Sequence, residues 1–149
     1  VGSITPSSKF LAAKMLEPLD FVNIRALAEL GAGTGAFTKY IHAFKLPDCK
    51  VAVFEKDKQM RDKLYSSYPE MMYFEDALRL SEQIQSIEID SLDAVISGLP
   101  FALFEESVRE RIIEAVIGSL KPNGIFVAFQ YSQQMKTLLK NRFFKPWKG

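Results

Sequence analysis

A chain of 149 residues with 48% hydrophobic and 25% charged content has the size and balance of one soluble globular domain, here expected to span 1–149. Its 19 basic and 18 acidic residues leave a net charge of +1, which argues against a dedicated nucleic-acid binder with a strong basic field. The single cysteine, Cys49, excludes an intrachain disulfide, nothing resembles a Cys/His metal cluster, and no run approaches the roughly 18 apolar residues of a membrane-spanning helix. No signal-peptide pattern is present either, and a cytoplasmic location is the expectation.

Thr5-Pro6 opens a helical pattern with threonine as N-cap and proline in the first turn, and Leu11, Met15 and Leu19 follow on one face. A strand is expected at 24-IRALAEL-30, ended by the glycines of 29-ELGAGTG-35, then a helix from Ala36 to about Leu46. The second strand is 51-VAVF-54, before Glu55, and a polar helix runs from Lys56 to Tyr65. A third short strand, 71-MMYF-74, precedes 75-EDAL-78, and a fourth, 92-LDAVIS-97, runs into 98-GLPF-101. In the next helix Val108, Ile112, Ala115, Val116 and Leu120 make an apolar stripe, with Glu105 and Arg109 one turn apart on the other side. A turn at 121-KPNG-124 leads to 125-IFVAF-129, a fifth strand that is apolar throughout, as expected when both faces are covered.

Short apolar strands alternating with helices indicate an α/β fold, a doubly wound and mostly parallel sheet with helices on both faces. In such sheets ligands bind outside the carboxyl ends of the strands. The glycines, Glu55, Asp76 and Gly98–Phe101 all fall at those ends, which points to one crevice.

Gly31, Gly33 and Gly35 permit a tight turn whose backbone can approach a ligand. A P-loop is excluded, because no Gly-Lys-Ser/Thr follows at the required spacing. A dinucleotide site stays open: Gly31, Gly33 and Ala36 satisfy G-x-G-x-x-G/A, and Glu55 stands where a ribose-binding acid belongs.

Taken together, 29-ELGAGTG-35, Glu55, Asp76-Ala77 and 120-LKPNG-124 resemble the class I S-adenosylmethionine-dependent methyltransferases, over about Val1 to Ser132. The resemblance implies a Rossmann-like fold and S-adenosylmethionine as cofactor. It places Gly31, Gly33 and Gly35 under the methionine and ribose portion. It assigns Glu55 to the ribose hydroxyls and Asp76, with Ala77, to the adenine. Glu29 stands where the family has an acid that supports the loop and the cofactor's ammonium end, and Ser97 joins the cofactor-binding residues. The residue types suit that ligand, since carboxylates accept from hydroxyls and pair with cations.

The segment after the fourth strand meets the nucleophile in this family. Adenine N6-methylating members have Asn-Leu/Pro-Pro-aromatic there; this chain keeps Leu99, Pro100 and Phe101 but has Gly98 in place of the asparagine. With 2-GSITPSSKFLAAKML-16, the segment 97-SGLPF-101 instead resembles bacterial phospholipid N-methyltransferases, relatives of the ribosomal RNA adenine dimethylases. The resemblance implies methylation of a phosphatidylethanolamine-type amine, oriented by the backbone around Gly98 and Leu99, with Pro100 and Phe101 completing the acceptor segment and Phe101 a wall able to make cation–π contact. Ser97 and Tyr131 are further polar candidates, whereas His42, inside the helix after the glycine loop, is expected to be structural or solvated.

The tail 140-KNRFFKPWKG-149 mixes basic and aromatic residues, which suits an anionic membrane surface at the inner face of the cell membrane, an RNA-facing surface, or an ordinary late strand. After the helix expected from Ser132 only about one strand's length remains, so the C-terminal strands of the fold are expected to be shortened or missing. The alternatives are an RNA adenine N6-methyltransferase, a NAD-binding oxidoreductase module and a non-catalytic cofactor-binding or interaction protein. No protein partner can be inferred, and no metal is expected.

Overall fold

The structure, a computed structural model, describes residues 12–129 and the backbone of 145–146. Five main strands form one sheet: β1 (Ala26–Leu30), β2 (Lys50–Phe54), β3 (Met72–Phe74), β4 (Leu92–Ser97) and β5 (Leu120–Ala128). A two-residue β6 (Lys145–Pro146) adds to its edge, in the order β3-β2-β1-β4-β5-β6, and every described pairing is parallel. Helical residues 12–15 (α1) precede α2 (Ala36–Phe44), α3 (Lys58–Ser67), α4 (Leu80–Ser86) and α5 (Glu106–Ser119). The remainder of the N-terminal motif, the helix expected from Ser132, Tyr131 and most of the basic-aromatic tail lie outside the described residues.

Successive strand residues point to opposite faces, and the core divides accordingly. Ala28, Leu30, Phe54, Val95 and Phe126 pack with Leu80 and Ile84 of α4 and Ile112, Ile113 and Val116 of α5. Leu27, Val51, Val53, Ile96 and Val127 pack on the other face with Met15 of α1, Ile41 of α2 and Leu64 of α3. Both faces of the sheet are therefore covered, which is why its strands carry near-continuous apolar runs.

Outside the site, the structure departs from the sequence reading in three places. Helix α4 was not expected, because seven residues rich in Ser, Glu and Gln show only Leu80 and Ile84 as an apolar pair; both are fully buried. Strand β5 begins at Leu120, with 121–124 arching out of the ladder: the step from Leu92 to Ala94 is matched by one from Leu120 to Ile125. Gly124 is required in that arch, since a Cβ there would meet Leu120 Cδ2 at 2.7 Å and the Lys121 carbonyl at 3.0 Å. Arg109, expected on the solvent side of α5, is half-buried and donates through Nη1 to the Phe104 carbonyl.

At the amino ends of the strands Asp93 ties the sheet together. Its Oδ2 accepts from the Arg25 and Ala26 N–H groups at 2.8 and 3.0 Å, and Lys121 Nζ reaches Oδ1 at 2.9 Å. Burial works to raise the Asp93 pKa, but the bonds from Lys121, Arg25 and Ala26 outweigh it and hold the carboxyl below its ordinary 3.8. Asp93 thus stabilises the fold above its ordinary pKa, and the contribution is lost as pH falls through the depressed value. Asp93→Ala is expected to cost about 1–3 kcal/mol, read as a lower urea midpoint with an unchanged slope.

Candidate active site

The strand order reverses between β1 and β4, and the crevice outside the carboxyl ends of this switch point is where the sequence candidates meet. Backbone bonds join the strand exits. Gly31 and Ala32 donate to the Phe54 carbonyl at 2.8 and 3.3 Å, Glu55 to Phe74 at 2.9 Å, Gly98 to Leu30 at 2.8 Å and Phe129 to Ser97 at 2.8 Å.

All three loop glycines have positive φ, +72° at Gly31, +58° at Gly33 and +95° at Gly35, a region in which L side chains are strained. The space around them differs. A Cβ on Gly31 would sit 2.8 Å from Leu99 Cδ2 and 3.2 Å from Leu99 N, so the glycine loop and the acceptor segment touch. A Cβ on Gly35 would meet Leu64 Cδ2 of α3 at 2.7 Å, whereas one on Gly33 would meet no described residue within 4 Å.

Glu55 closes the loop from the β2 side. Its Oε1 accepts the Gly33 N–H at 2.6 Å and its Oε2 the Asp57 N–H at 2.8 Å, while Asp57 itself caps α3 by accepting from Met60 N at 3.0 Å. Arg61 Nη1 donates back to the Glu55 carbonyl at 2.8 Å. Beneath the loop, Glu29 is fully buried. Its Oε1 accepts from the Thr38 hydroxyl at 2.6 Å, and its Oε2 has no partner among the described residues. Burial pushes its pKa up to about 7; the Thr38 bond works downward and the nearby Glu55 charge upward.

The other candidates are less convergent. Asp76 is exposed and its Oδ1 accepts from Leu78 N at 2.9 Å, capping a short 3-10 turn that includes Ala77. Ser97 is buried, and its Oγ accepts from Leu99 N at 3.2 Å, shaping the turn into Gly98 and Pro100. The expectation for Phe101 needs correction. The ring is fully buried in the α4/α5 core, edge-on to Phe104 at 6.0 Å, so no face is open for a cation–π contact. His42 lies half-exposed at the surface, its Nδ1 2.6 Å from Glu70 Oε2 and its ring 4.8 Å from Tyr68. Among the described residues no group of three or more His, Cys, Asp or Glu could hold a metal ion.

Comparison with solved structures identifies the fold. A S-adenosylmethionine-dependent O-methyltransferase of Thermotoga maritima superposes with TM-score 0.68 at 15% identity, covering 95% of this chain and 50% of that one. The precorrin-6y C5,15-methyltransferase of Geobacter metallireducens gives TM-score 0.68 at 18% identity over 94% of this chain and 69% of its own. A S-adenosylmethionine-bound amino pentose methyltransferase of Micromonospora echinaspora gives TM-score 0.60 at 17% identity, covering 85% of this chain and 50% of its own. The chain thus spans half to two thirds of these solved chains. No protein-family model matches it. An ornithine lipid N-methyltransferase of Singulisphaera acidiphila is 32% identical over 130 residues, which are 85% of this chain and 68% of that protein. The chain belongs to the S-adenosylmethionine-dependent methyltransferases.

Its site fits that cofactor on its own chemistry. Two carboxylates, Glu29 and Glu55, flank the glycine loop, one buried oxygen has no partner among the described residues, and the backbone at Gly33 has no described neighbour within 4 Å of a Cβ built there. S-adenosylmethionine presents ribose hydroxyls and two cationic centres, for which acceptor-only carboxylates are the complementary groups. The dinucleotide reading of the same fingerprint is thereby replaced. Sequence reasoning missed Thr38, Asp57 and Leu64, which respectively bond Glu29, cap α3 beside Glu55 and lie against Gly35. Asp57 carried a signal, an aspartate just before a polar helix, while Thr38 and Leu64 carried none that a short window could show. Gly31→Ala is expected to strain the loop by about 1–2 kcal/mol and displace Leu99. It should lower the melting temperature and the affinity for S-adenosylhomocysteine together, as read by thermal unfolding and calorimetry.

Proposed function

We propose that this methyltransferase transfers a methyl group to the primary amine of a membrane lipid, with a phosphatidylethanolamine-type phospholipid as the acceptor class. The observation that carries the reading is the 32% identity with a lipid N-methyltransferase over most of the chain. Gly98 supports it. Without the side-chain amide that an exocyclic adenine amine would require there, the segment offers backbone groups to a smaller and more flexible amine.

S-adenosylmethionine, when bound, supplies an electrophilic methyl group on a sulfonium. Glu55 and Glu29 would hold its ribose and ammonium ends, with the glycine loop beneath. The acceptor segment's task is alignment: reacting atoms must be held about 3–3.5 Å apart and in line. The Leu99 carbonyl accepts from Phe101 N at 2.9 Å and retains a second lone pair for an amine N–H. The bond from Ser97 Oγ to Leu99 N and the packing of Leu99 on Gly31 fix that carbonyl relative to the cofactor loop. A lipid ammonium has a pKa near the ~10.4 of lysine and must lose a proton before it attacks. Partial removal from water at the crevice favours its neutral form.

Radiolabelled methyl transfer from S-adenosylmethionine to vesicles tests the reading, with phosphatidylethanolamine and ornithine lipid in parallel and adenine-containing RNA as the third arm. Label in either lipid supports amino-lipid methylation, and label in phosphatidylethanolamine supports the narrower acceptor. Label confined to RNA would move the assignment to an adenine methyltransferase, which Leu99-Pro100-Phe101 favours. No helix among the described residues is long and apolar enough to cross a membrane.

A further inference from the structure

Thr38 has a place in the site that the family resemblance does not assign. It lies in the first turn of α2, directly after the glycine loop, and is fully buried. A threonine within a helix ordinarily bonds a carbonyl one turn back or faces water. Here its hydroxyl hydrogen goes to Glu29 Oε1 at 2.6 Å. A hydroxyl has only one hydrogen to give, so this bond selects which carboxylate oxygen is tethered and leaves Oε2 as the one without a partner.

The surroundings of that oxygen call for a cation. Glu29 lies beside a second carboxylate, Glu55, and the charges of Glu29 and Glu70 reach the Tyr68 and Tyr73 hydroxyls, both raised first by burial and then by these acids. Among the described residues no Lys, Arg or His side chain bonds to Glu29. A buried carboxylate with one satisfied oxygen and no counter-charge is costly unless a ligand supplies the charge.

We propose that Thr38 is a positioning residue for cofactor binding, its hydroxyl holding Glu29 so that the carboxylate's second oxygen receives the cationic ammonium of the methionine end. Binding at that end is then coupled to ionisation of Glu29. The coupling concerns the cofactor alone and does not rest on the lipid acceptor.

Two ligands separate positioning from general damage. S-adenosylhomocysteine carries the ammonium; 5′-methylthioadenosine has the nucleoside and thioether without the amino-acid end. In calorimetry on the full chain at pH 7.5, Thr38→Val is expected to weaken S-adenosylhomocysteine about tenfold while leaving methylthioadenosine within twofold. Wild-type affinity for S-adenosylhomocysteine should rise as pH passes through about 7. In Thr38→Val the rise should move to higher pH, because a bond that lowers the Glu29 pKa is gone, and Thr38→Ser should restore both properties. Equal weakening of both ligands, or an unmoved pH step, would overturn the proposal. Should Thr38→Val fail to fold, the unaltered chain still decides. At pH 6.5, titrations in buffers of different ionisation heat must show proton release with S-adenosylhomocysteine and none with methylthioadenosine. Equal release for the two overturns the coupling, and absence of binding by either ligand would instead count against the cofactor assignment.

Discussion

Replacing Glu55 by alanine is expected to weaken S-adenosylhomocysteine binding by about two orders of magnitude and to lower the melting temperature in the same variant. A carboxylate offers about four lone-pair sites, and the fold uses two of them, one for the Gly33 N–H and one for the Asp57 N–H. The remaining two are what a ribose diol needs, and losing charge-assisted bonds to it costs about 1.5–3 kcal/mol. Glu55 is only 9% exposed, so both backbone donors lose a partner that water replaces incompletely. That second loss, about 1–3 kcal/mol, lowers the melting temperature by roughly 3–10 °C. The position of Glu55 just past β2, taken alone, predicts lower affinity with the fold intact. The bond to Gly33 removes that separation, because the residue proposed to bind the ribose also tethers the most open point of the loop. Glu55→Gln, whose amide oxygen can keep one of the two N–H groups, should fall between wild type and alanine in both measurements. An unchanged affinity in Glu55→Ala would remove Glu55 from the site; a lost affinity at unchanged melting temperature would show that water satisfies both backbone donors.

The parts of this site that could be read from sequence are those encoded by a local rule. Glycines at 31, 33 and 35 announced positive φ because few other residues sustain it, and all three have it. The strands were visible as apolar runs because both faces of the sheet are covered, and the acids were placed by counting residues past each run. Contacts that depend on how the sheet assembles were not visible. Leu99 lies against Gly31 only because β4 pairs beside β1, bringing together residues 68 positions apart. Thr38 meets Glu29 only because α2 folds back over the face of β1 to which Glu29 points. Phe101 shows the converse error. Its position after β4 suggested a wall of the acceptor site, but the 3-10 turn Phe101–Leu103 rotates the ring inward onto Phe104 and exposes Leu103 to 82% instead. Within a four-residue motif, sequence does not say which apolar side chain turns inward.

Glu29→Gln should make the ligand-free chain more stable at pH 8 while making it a poorer binder of S-adenosylhomocysteine. Burial raises the Glu29 pKa from 4.5 to about 7, so between these values the folded chain holds a proton that the unfolded chain has released. Stability is then fullest below 4.5, declines as pH rises, and levels off above about 7, once the carboxyl is ionised in both states. A shift of this size corresponds to on the order of 3 kcal/mol across the window. Glutamine mimics the neutral acid at every pH: its oxygen can still accept from Thr38, and its free end has the same lack of a partner that Oε2 has now. The variant's stability should therefore lose most of the decline between pH 5 and 8, and urea unfolding at several pH values reads this directly. An identical decline in variant and wild type would assign it to other groups. With ligand present the order should reverse. The ammonium neutralises an ionised Glu29 but gains only a weaker dipolar partner in glutamine, so S-adenosylhomocysteine should raise the wild-type melting temperature far more than the variant's. If both results hold, the charge that destabilises the ligand-free chain above pH 7 is also the charge that selects a cationic ligand, and one buried carboxylate accounts for both effects.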